Sequence, residues 1–225
     1  MNNNQMLSLT LLLTLVAGYC DTVTFLAADE LFSAHVTGNF IVFAYHLVQD
    51  ASTANWSKLL SFPVFIAAVA TGRWVANTFT SRYAMLGVAG VLLLVSGALV
   101  LFLQYNGRIL PSGIHWAAML VVFAMGMQNA FGRLFAKETY GPTTVMTGNV
   151  TQATLDIAAR LTGPAETAGK GVPIRVQLLV IGAFLLGCLS GALVARQFGL
   201  WPVALAGLVL LVVAARKPAA VPVKA

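Results

Sequence analysis

The chain alternates long apolar segments with short polar stretches, a pattern typical of membrane-spanning helices. A helix crosses the bilayer in about 17–25 apolar residues. Six segments approach or reach that length: Met6–Leu26, Leu59–Thr80, Tyr83–Leu103, Ile114–Phe131, Val176–Ala195 and, the shortest, Leu200–Ala215. Because the apolar runs are continuous and do not alternate with polar residues, they argue against a transmembrane β-barrel. The pattern therefore predicts an all-α integral membrane protein with six long transmembrane helices.

The composition agrees with this prediction. Of the 225 residues, 59% are hydrophobic and only 9% are charged, whereas soluble domains carry about a quarter charged residues. The net charge of +6 comes from basic residues that stand singly or in pairs near segment ends. Such residues orient membrane helices, and they do not form the basic patch that nucleic acid binding requires.

The cysteines and the first apolar segment do not alter the prediction of an integral membrane protein. Cys20 and Cys188 both lie in apolar segments and lack metal-ligand spacing, so we expect no metal and no other cofactor. The first segment has no Lys or Arg before it, and Tyr19 stands where a lipoprotein signal has a small residue. We therefore interpret this segment as a retained transmembrane helix.

The sequence contains an internal repeat. Four short segments of the first half have a similar counterpart in the second half, in the same order. The pairs are GYCDTVTF and GMQNAFGR, TGN and TGN, TGRWVA and SGALVA, and VAGVLLLV and LAGLVLLV. The first pair aligns Asp21 with Asn129. A single match between short apolar segments is often due to chance, but four matches in the same order are much harder to attribute to chance. We predict one membrane domain, residues 1–225, made of two homologous repeats, 1–107 and 108–225.

The segments that follow the two Thr-Gly-Asn motifs decide the topology. Phe40–Val48 is too short to span a bilayer, and Val150–Arg160 contains residues that cannot face lipid. Both segments are therefore expected to form short or broken helices. If they do not cross, the chain has six crossings and inverted repeats; if they cross, it has eight crossings and parallel repeats. Six crossings with cytoplasmic termini leave fewer basic residues outside, which favours the inverted arrangement.

The motifs resemble a known family. A GxxD near the end of the first helix, an aromatic-rich turn, TGN, and a second GxQNA…TGN copy resemble the YoaK-like family of uncharacterised bacterial multi-pass membrane proteins. The resemblance covers nearly the whole chain. It implies about six spans and a transport function, and it implies no substrate or mechanism.

The two TGN motifs are the first candidate site. Thr and Asn cap helices well, and glycine allows close approach of the backbone. A helix that starts inside the membrane also presents free N–H groups and a positive dipole end to a solute. We therefore expect a shared substrate site between the motifs, formed by Thr37, Gly38, Asn39, Thr147, Gly148 and Asn149.

Three other polar residues join this candidate site. Asp21 lies near the end of the first span, where a carboxylate is costly and therefore a functional candidate, and Asn129 is its counterpart. His35, just before the first TGN, titrates near neutral pH and is suited to relay a proton. Arg133 is expected to form a structural ion pair with Glu138 or Asp156, and a contact with the substrate is the less favoured alternative.

These residues favour a transporter. The sequence contains no phosphate-binding loop and no hydrolase or zinc-protease motif, so we expect a non-enzyme that works without ATP. The first hypothesis is a secondary transporter or permease of a small polar or anionic solute in the bacterial inner membrane, with Asp21 binding a proton or a sodium ion. Six spans are few for a transporter, which favours a homodimer. The alternatives are an intramembrane enzyme that uses Asp21 and His35, and a non-transporting scaffold or sensor.

Overall fold

The computed structural model describes residues 2–49, 56–107, 111–144, 146–162 and 172–215. In these ranges the chain forms helices and no strand. The α-helices are α1 (Asn3–Ala27), α2 (Gly38–Gln49), α3 (Ser57–Thr78), α4 (Ala84–Tyr105), α5 (Pro111–Leu134), α6 (Met146–Thr162), α7 (Ile174–Phe198) and α8 (Val203–Ala215), and a 3₁₀ turn covers Ala136–Glu138. The predicted all-α class is confirmed.

Five helices are long and apolar enough to cross a membrane: α1, α3, α4, α5 and α7. Each contains most of a segment that the hydropathy pattern predicts. The sixth predicted segment, Leu200–Ala215, is represented by α8, whose 13 residues extend about 20 Å. This is less than the hydrocarbon thickness of about 30 Å, so a sixth full span stays a prediction.

A short helix begins at each TGN motif. α2 starts at Gly38 and has 12 residues, and α6 starts one residue before Thr147 and has 17. Both helices leave large apolar side chains exposed, such as Ile41 and Leu161. The expectation that the motifs open short helices agrees with these boundaries.

Two pairs of helices, α1 with α7 and α3 with α5, run in the same direction. In each pair the contacts advance together along both helices: from Gly187 beside Leu15 to Gly191 beside Thr22, and from Ala68 beside Gly126 to Gly72 beside Ala130. Glycines at these contacts let the backbones approach closely. For example, a Cβ atom added to Gly191 would lie 2.7 Å from the Tyr19 carbonyl oxygen.

Three pairs of helices run antiparallel. In each pair the contacts advance along one helix as they recede along the other. For α1 and the end of α5 the contacts are Leu13 with Gln128 and Thr10 with Tyr140. For α4 and α5 they are Ser96 with Ala117 and Tyr83 with Phe131, and for α4 and α8 they are Gly97 with Ala204 and Gly87 with Ala214. The central helices α1 and α5, the most buried of the five long helices, therefore point in opposite directions.

These directions place the two short helices at opposite ends of the bundle. α2 follows the C-terminus of α1, and α6 follows the C-terminus of α5. α1 is antiparallel to α3, so the chain leaves α1 and enters α3 at the same end, called here the α2 end. α5 and α7 are likewise joined at the other end, the α6 end. A helix of 25 residues such as α1 separates the two ends by about 37 Å.

Candidate functional site

An aspartate–histidine pair lies at the α2 end. Asp21, near the end of α1, is only 4% exposed. Its carboxylate accepts a hydrogen bond from the Ala34 backbone N–H (2.7 Å), and its other oxygen lies 2.5 Å from Nδ1 of His35. The loop between α1 and α2 turns back over α1 and so brings these residues together. Its turn begins with Asp29 and Glu30, both in the left-handed backbone region with φ of 56°.

The pair controls the protonation of His35. The hydrogen bond from the imidazole to Asp21 is the main reason why the pKa of His35 is raised above its ordinary value; partial burial opposes this, and the Asp21 charge adds to it. With Nδ1 directed at Asp21, the second ring nitrogen, Nε2, makes no hydrogen bond to the residues that the structure describes. The His35 side chain is 30% exposed, so the imidazole remains accessible.

His35 opens onto a cavity of about 410 Å³. The cavity is mostly apolar, with aromatic rings on several sides. Its lining consists of Asp21, Thr22, Phe25, Phe32, His35, Gly38, Phe184 and Cys188. The Phe184 ring on α7 meets the imidazole edge-on, with 5.7 Å between the ring centroids. An acid–base pair in an apolar cavity provides one titratable polar contact for a bound molecule.

Asn39 of the first TGN motif has a structural role. It is fully buried, and its side chain bonds both the N–H and the carbonyl of Phe32 (2.8 Å each) and the Ser61 hydroxyl (2.8 Å). The amide therefore fastens the loop to α2 and α3. Of the motif, only Gly38 lines the cavity, while Thr37 is exposed outside it.

A second polar cluster lies at the α6 end, around Asn129. The Asn129 amide donates to the Thr144 hydroxyl (2.9 Å). Both side chains border a smaller cavity of about 210 Å³, whose other lining residues are Gly132, Arg133, Ala136, Gly141, Pro142 and Thr143. In the second TGN motif, Asn149 donates to the Pro142 carbonyl (3.0 Å), whereas Thr147 and Gly148 are exposed and line neither cavity.

The structure does not bring the two TGN motifs into one site. The described residues that line one cavity are all different from those that line the other, and Asp21 and Asn129 lie near opposite ends of the bundle. The physical reason is the antiparallel course of α1 and α5: the loop and motif that follow each helix lie at that helix's own C-terminal end. The expected shared site is therefore replaced by two separate clusters.

The expected ion pair of Arg133 is also wrong within the described residues. Glu138 is paired with Arg82 and accepts a hydrogen bond from the Tyr83 hydroxyl (3.0 Å). Asp156 accepts hydrogen bonds from the side chains of Gln152 and Gln177 (2.8 and 2.6 Å). These partners lie up to 56 residues apart in the chain, so sequence proximity to Arg133 was misleading.

Sequence reasoning missed several neighbours. Phe184 and Cys188 belong to the other half of the chain and carry no motif that links them to His35. Lys58 is fully buried, and its ammonium group lies 3.0 Å from the Asp29 carboxylate at the α2 end. Within the ranges that the structure describes, no three His, Cys, Asp or Glu residues are grouped so as to hold a metal ion.

Comparison with known proteins gives one result. No curated protein and no solved structure matches the chain. A family model described as "Protein of unknown function (DUF1275)" matches residues 9–216, a range that contains both clusters and both TGN motifs. An uncharacterised family agrees with the resemblance in the sequence, while the YoaK-like assignment itself stays a prediction. The chain belongs to the DUF1275 family of proteins of unknown function.

Proposed function

We propose that the protein is a secondary transporter of a small polar or anionic solute in the bacterial inner membrane, and that Asp21 and His35 carry its coupling proton. The observation that carries this proposal is the hydrogen-bonded Asp21–His35 pair at the border of a cavity within a bundle of apolar helices. Ionisable residues in such bundles are costly, and they mark ion and substrate pathways.

A chemical cycle follows from the pair. Protonated His35 donates through Nδ1 to Asp21 and has a second N–H, at Nε2, to offer to a solute in the cavity. Loss of the Nε2 proton converts that donor into an acceptor and removes the positive charge, which weakens the hold on an anion. Solute binding and proton binding at His35 therefore favour each other, as proton symport requires.

Two inverted repeats would supply the machinery for alternating access. The repeats exchange partners: α1 of the first packs on α7 of the second, and α5 of the second packs on α3 of the first. The equivalent glycines Gly90 and Gly207 meet each other, since a Cβ on either would lie within 2.9 Å of the other's carbonyl oxygen. Such reciprocity is expected where equivalent helices cross at a pseudo-two-fold axis.

The loops support the same repeat. The TGN asparagine bonds a carbonyl seven residues earlier in both halves, Asn39 to Phe32 and Asn149 to Pro142. The polar residue of the central helix bonds the following loop in both halves, Asp21 at Ala34 and Asn129 at Thr144. Together with the opposite directions of α1 and α5, these parallels favour six crossings, with α2 and α6 remaining at opposite faces. The distribution of basic residues in the sequence then favours cytoplasmic termini.

Proton flux in proteoliposomes tests the proposal. The purified protein would be reconstituted with a pH-sensitive dye inside, and small organic acids and polar solutes would be added outside in turn. We expect at least one solute to drive proton entry in the wild type, and we expect this flux to be lost in His35→Gln and Asp21→Asn. His46→Gln is the matched control, because His46 is at the same end, pairs with Glu30 (2.9 Å) and does not line the cavity.

Two results would contradict the proposal. One is the absence of solute-driven proton flux for the whole panel in the wild type, which would favour the enzyme or scaffold alternatives. The other is unchanged proton-coupled flux in His35→Gln, which would place the coupling group elsewhere. Solute flux driven by a sodium gradient and not by a proton gradient would support transport but contradict the proposal that a proton is the coupling ion.

A further inference from the structure

We propose that the Asn129 cavity at the α6 end is a binding site for a small oxyanion, meaning a carboxylate or phosphate group, with Arg133 as the charged contact. This proposal concerns the second cluster and goes beyond the proposed transport function. It requires only that the folded protein binds an anion at this end.

Arg133 supplies a positive charge that the described residues leave uncompensated. It lies in the last turn of α5 and lines the cavity. The two carboxylates that the sequence suggested as its partners are engaged elsewhere, Glu138 by Arg82 and Asp156 by two glutamine side chains. Among the residues that the structure describes, no carboxylate lines this cavity. A planar guanidinium group binds carboxylate and phosphate oxygens with two parallel hydrogen bonds.

Neutral donors stand beside this charge. The Thr144 hydroxyl accepts its hydrogen bond from the Asn129 amide, so the hydroxyl proton of Thr144 is left to donate. Thr143 is 2% exposed and also lines the cavity, so it contributes a second hydroxyl-bearing side chain. A cationic guanidinium with adjacent hydroxyl donors, and without an acid, is the chemistry of an oxyanion site.

The position of the cavity suggests how it is specialised. Three positions that line it align with positions that line the His35 cavity: Asn129 with Asp21, Arg133 with Phe25, and Pro142 with Phe32. One cavity therefore has a titratable pair among aromatic rings, whereas its counterpart has a permanent cation among hydroxyl groups. Because arginine stays charged at all physiological pH values and a carboxylate stays ionised above about pH 6, acetate binding at Arg133 should be almost independent of pH between about 6 and 8.

Calorimetric titration of the purified protein tests this site. Inorganic phosphate and acetate are the probes, and chloride at matched ionic strength is the reference. In nanodiscs of phosphatidylcholine alone we expect saturable binding of at least one probe, weakened at least about tenfold by Arg133→Gln, the loss expected for a hydrogen bond to a charged group. Thr144→Val should weaken binding by less and keep the fold. Arg160→Gln is the control, since Arg160 is at the same end but outside the cavity.

A second arm distinguishes a free anion from a lipid headgroup. If the anion comes from a lipid, phosphate and acetate bind weakly. Instead, nanodiscs that contain phosphatidic acid stabilise the wild type, but not Arg133→Gln, against thermal unfolding. Either Arg133-dependent result supports the oxyanion site. Equal responses of the wild type and Arg133→Gln to phosphate, acetate and phosphatidic acid would overturn it. His35→Gln should bind like the wild type, so failure of the transport proposal leaves this test intact.

Discussion

At the scale of single residues, the Asp21–His35 pair combines two features that are individually ordinary. A carboxylate near a helix end often faces water, and a histidine in a loop often has only a structural hydrogen bond. Here the carboxylate is buried, and it lies 2.5 Å from Nδ1 of His35. The Nε2 atom of the imidazole is therefore left available to a molecule in the cavity that His35 lines. Their chemical roles therefore depend on each other.

The pair should make stability depend on pH in a defined direction. Asp21 raises the folded-state pKa of His35 above its unfolded value of about 6.5. The stabilisation is therefore complete below about pH 6.5 and is lost as the pH rises through the folded-state pKa. We expect the difference in melting temperature between wild type and His35→Gln in detergent to be largest at low pH and to shrink above neutrality.

Asp21→Asn is the matched variant for this experiment, because it keeps the shape and the contact with the Ala34 N–H while removing the charge. Its difference from the wild type should shrink with pH in the same way. A difference between wild type and His35→Gln that stays constant from about pH 5.5 to pH 9 would show that folding does not change the pKa of His35, and so would contradict the raised pKa.

Sequence alone predicts functional roles for Asp21, His35 and the TGN motifs, because polar residues in apolar segments are conspicuous. The sequence cannot show which of these residues line a cavity and which hold the surrounding loop in place. Asn39 bonds Phe32 and Ser61 through its side chain, so this residue of the first TGN motif holds the loop in place. The partners of His35 on α7 could not be predicted, because hydropathy does not indicate which helices are neighbours.

At the scale of elements, close helix contacts depend on glycine. On α8, a Cβ at Gly207 would lie 2.7 Å from the Gly90 carbonyl oxygen on α4. On α7, a Cβ at Gly182 would have no atom of a neighbouring element within 4 Å, among the residues that the structure describes. The two glycines therefore differ in what an added methyl group would meet, although both lie in apolar helices.

We expect Gly207→Ala to destabilise the protein and Gly182→Ala to be neutral or slightly stabilising. Overpacking at a tight contact costs about 1–3 kcal/mol, whereas alanine in an open helical position gains up to about 1 kcal/mol over glycine. Thermal unfolding in detergent measures both variants. Equal melting temperatures for Gly207→Ala and Gly182→Ala would mean that α4 and α8 do not meet at Gly90 and Gly207.

Helix boundaries could be predicted largely from sequence. Long apolar runs locate α1, α3, α4, α5 and α7, because the bilayer imposes a minimum length on a spanning helix. The short helices at the TGN motifs follow from apolar runs that are too short or too polar. The final segment shows where this reasoning weakens: Gly199, with φ of 69°, and Pro202 precede α8, so the helix begins only at Val203.

At the scale of the whole molecule, the direction of the helices decides how the sites relate. The repeated words in the sequence suggested that two similar motifs form one site. The antiparallel contacts of α1 with α5, such as Gln128 with the Leu13 carbonyl (2.8 Å), place the motifs at opposite ends. A repeat in sequence fixes equivalent positions, but only the symmetry between the repeats determines whether those positions meet.

The same arrangement gives the molecule two chemically different faces. The α2 end contains the titratable Asp21–His35 pair and the buried Lys58, whereas the α6 end contains Arg133 and the Arg82–Glu138 pair. If the helices cross the membrane as we propose, an acid–base cavity faces one compartment and a permanently cationic cavity faces the other.

The central claim is that the two TGN motifs lie on opposite sides of the membrane. Thr37 and Thr147 occupy equivalent positions in the predicted repeat, and both are exposed. Each would be changed to cysteine in a Cys20→Ala, Cys188→Ala background and treated in intact cells with a membrane-impermeant maleimide. We expect Thr37→Cys to be labelled directly and Thr147→Cys only after the membrane is permeabilised. Labelling of both positions from the same side would contradict the inverted arrangement and the placement of the two cavities on opposite faces.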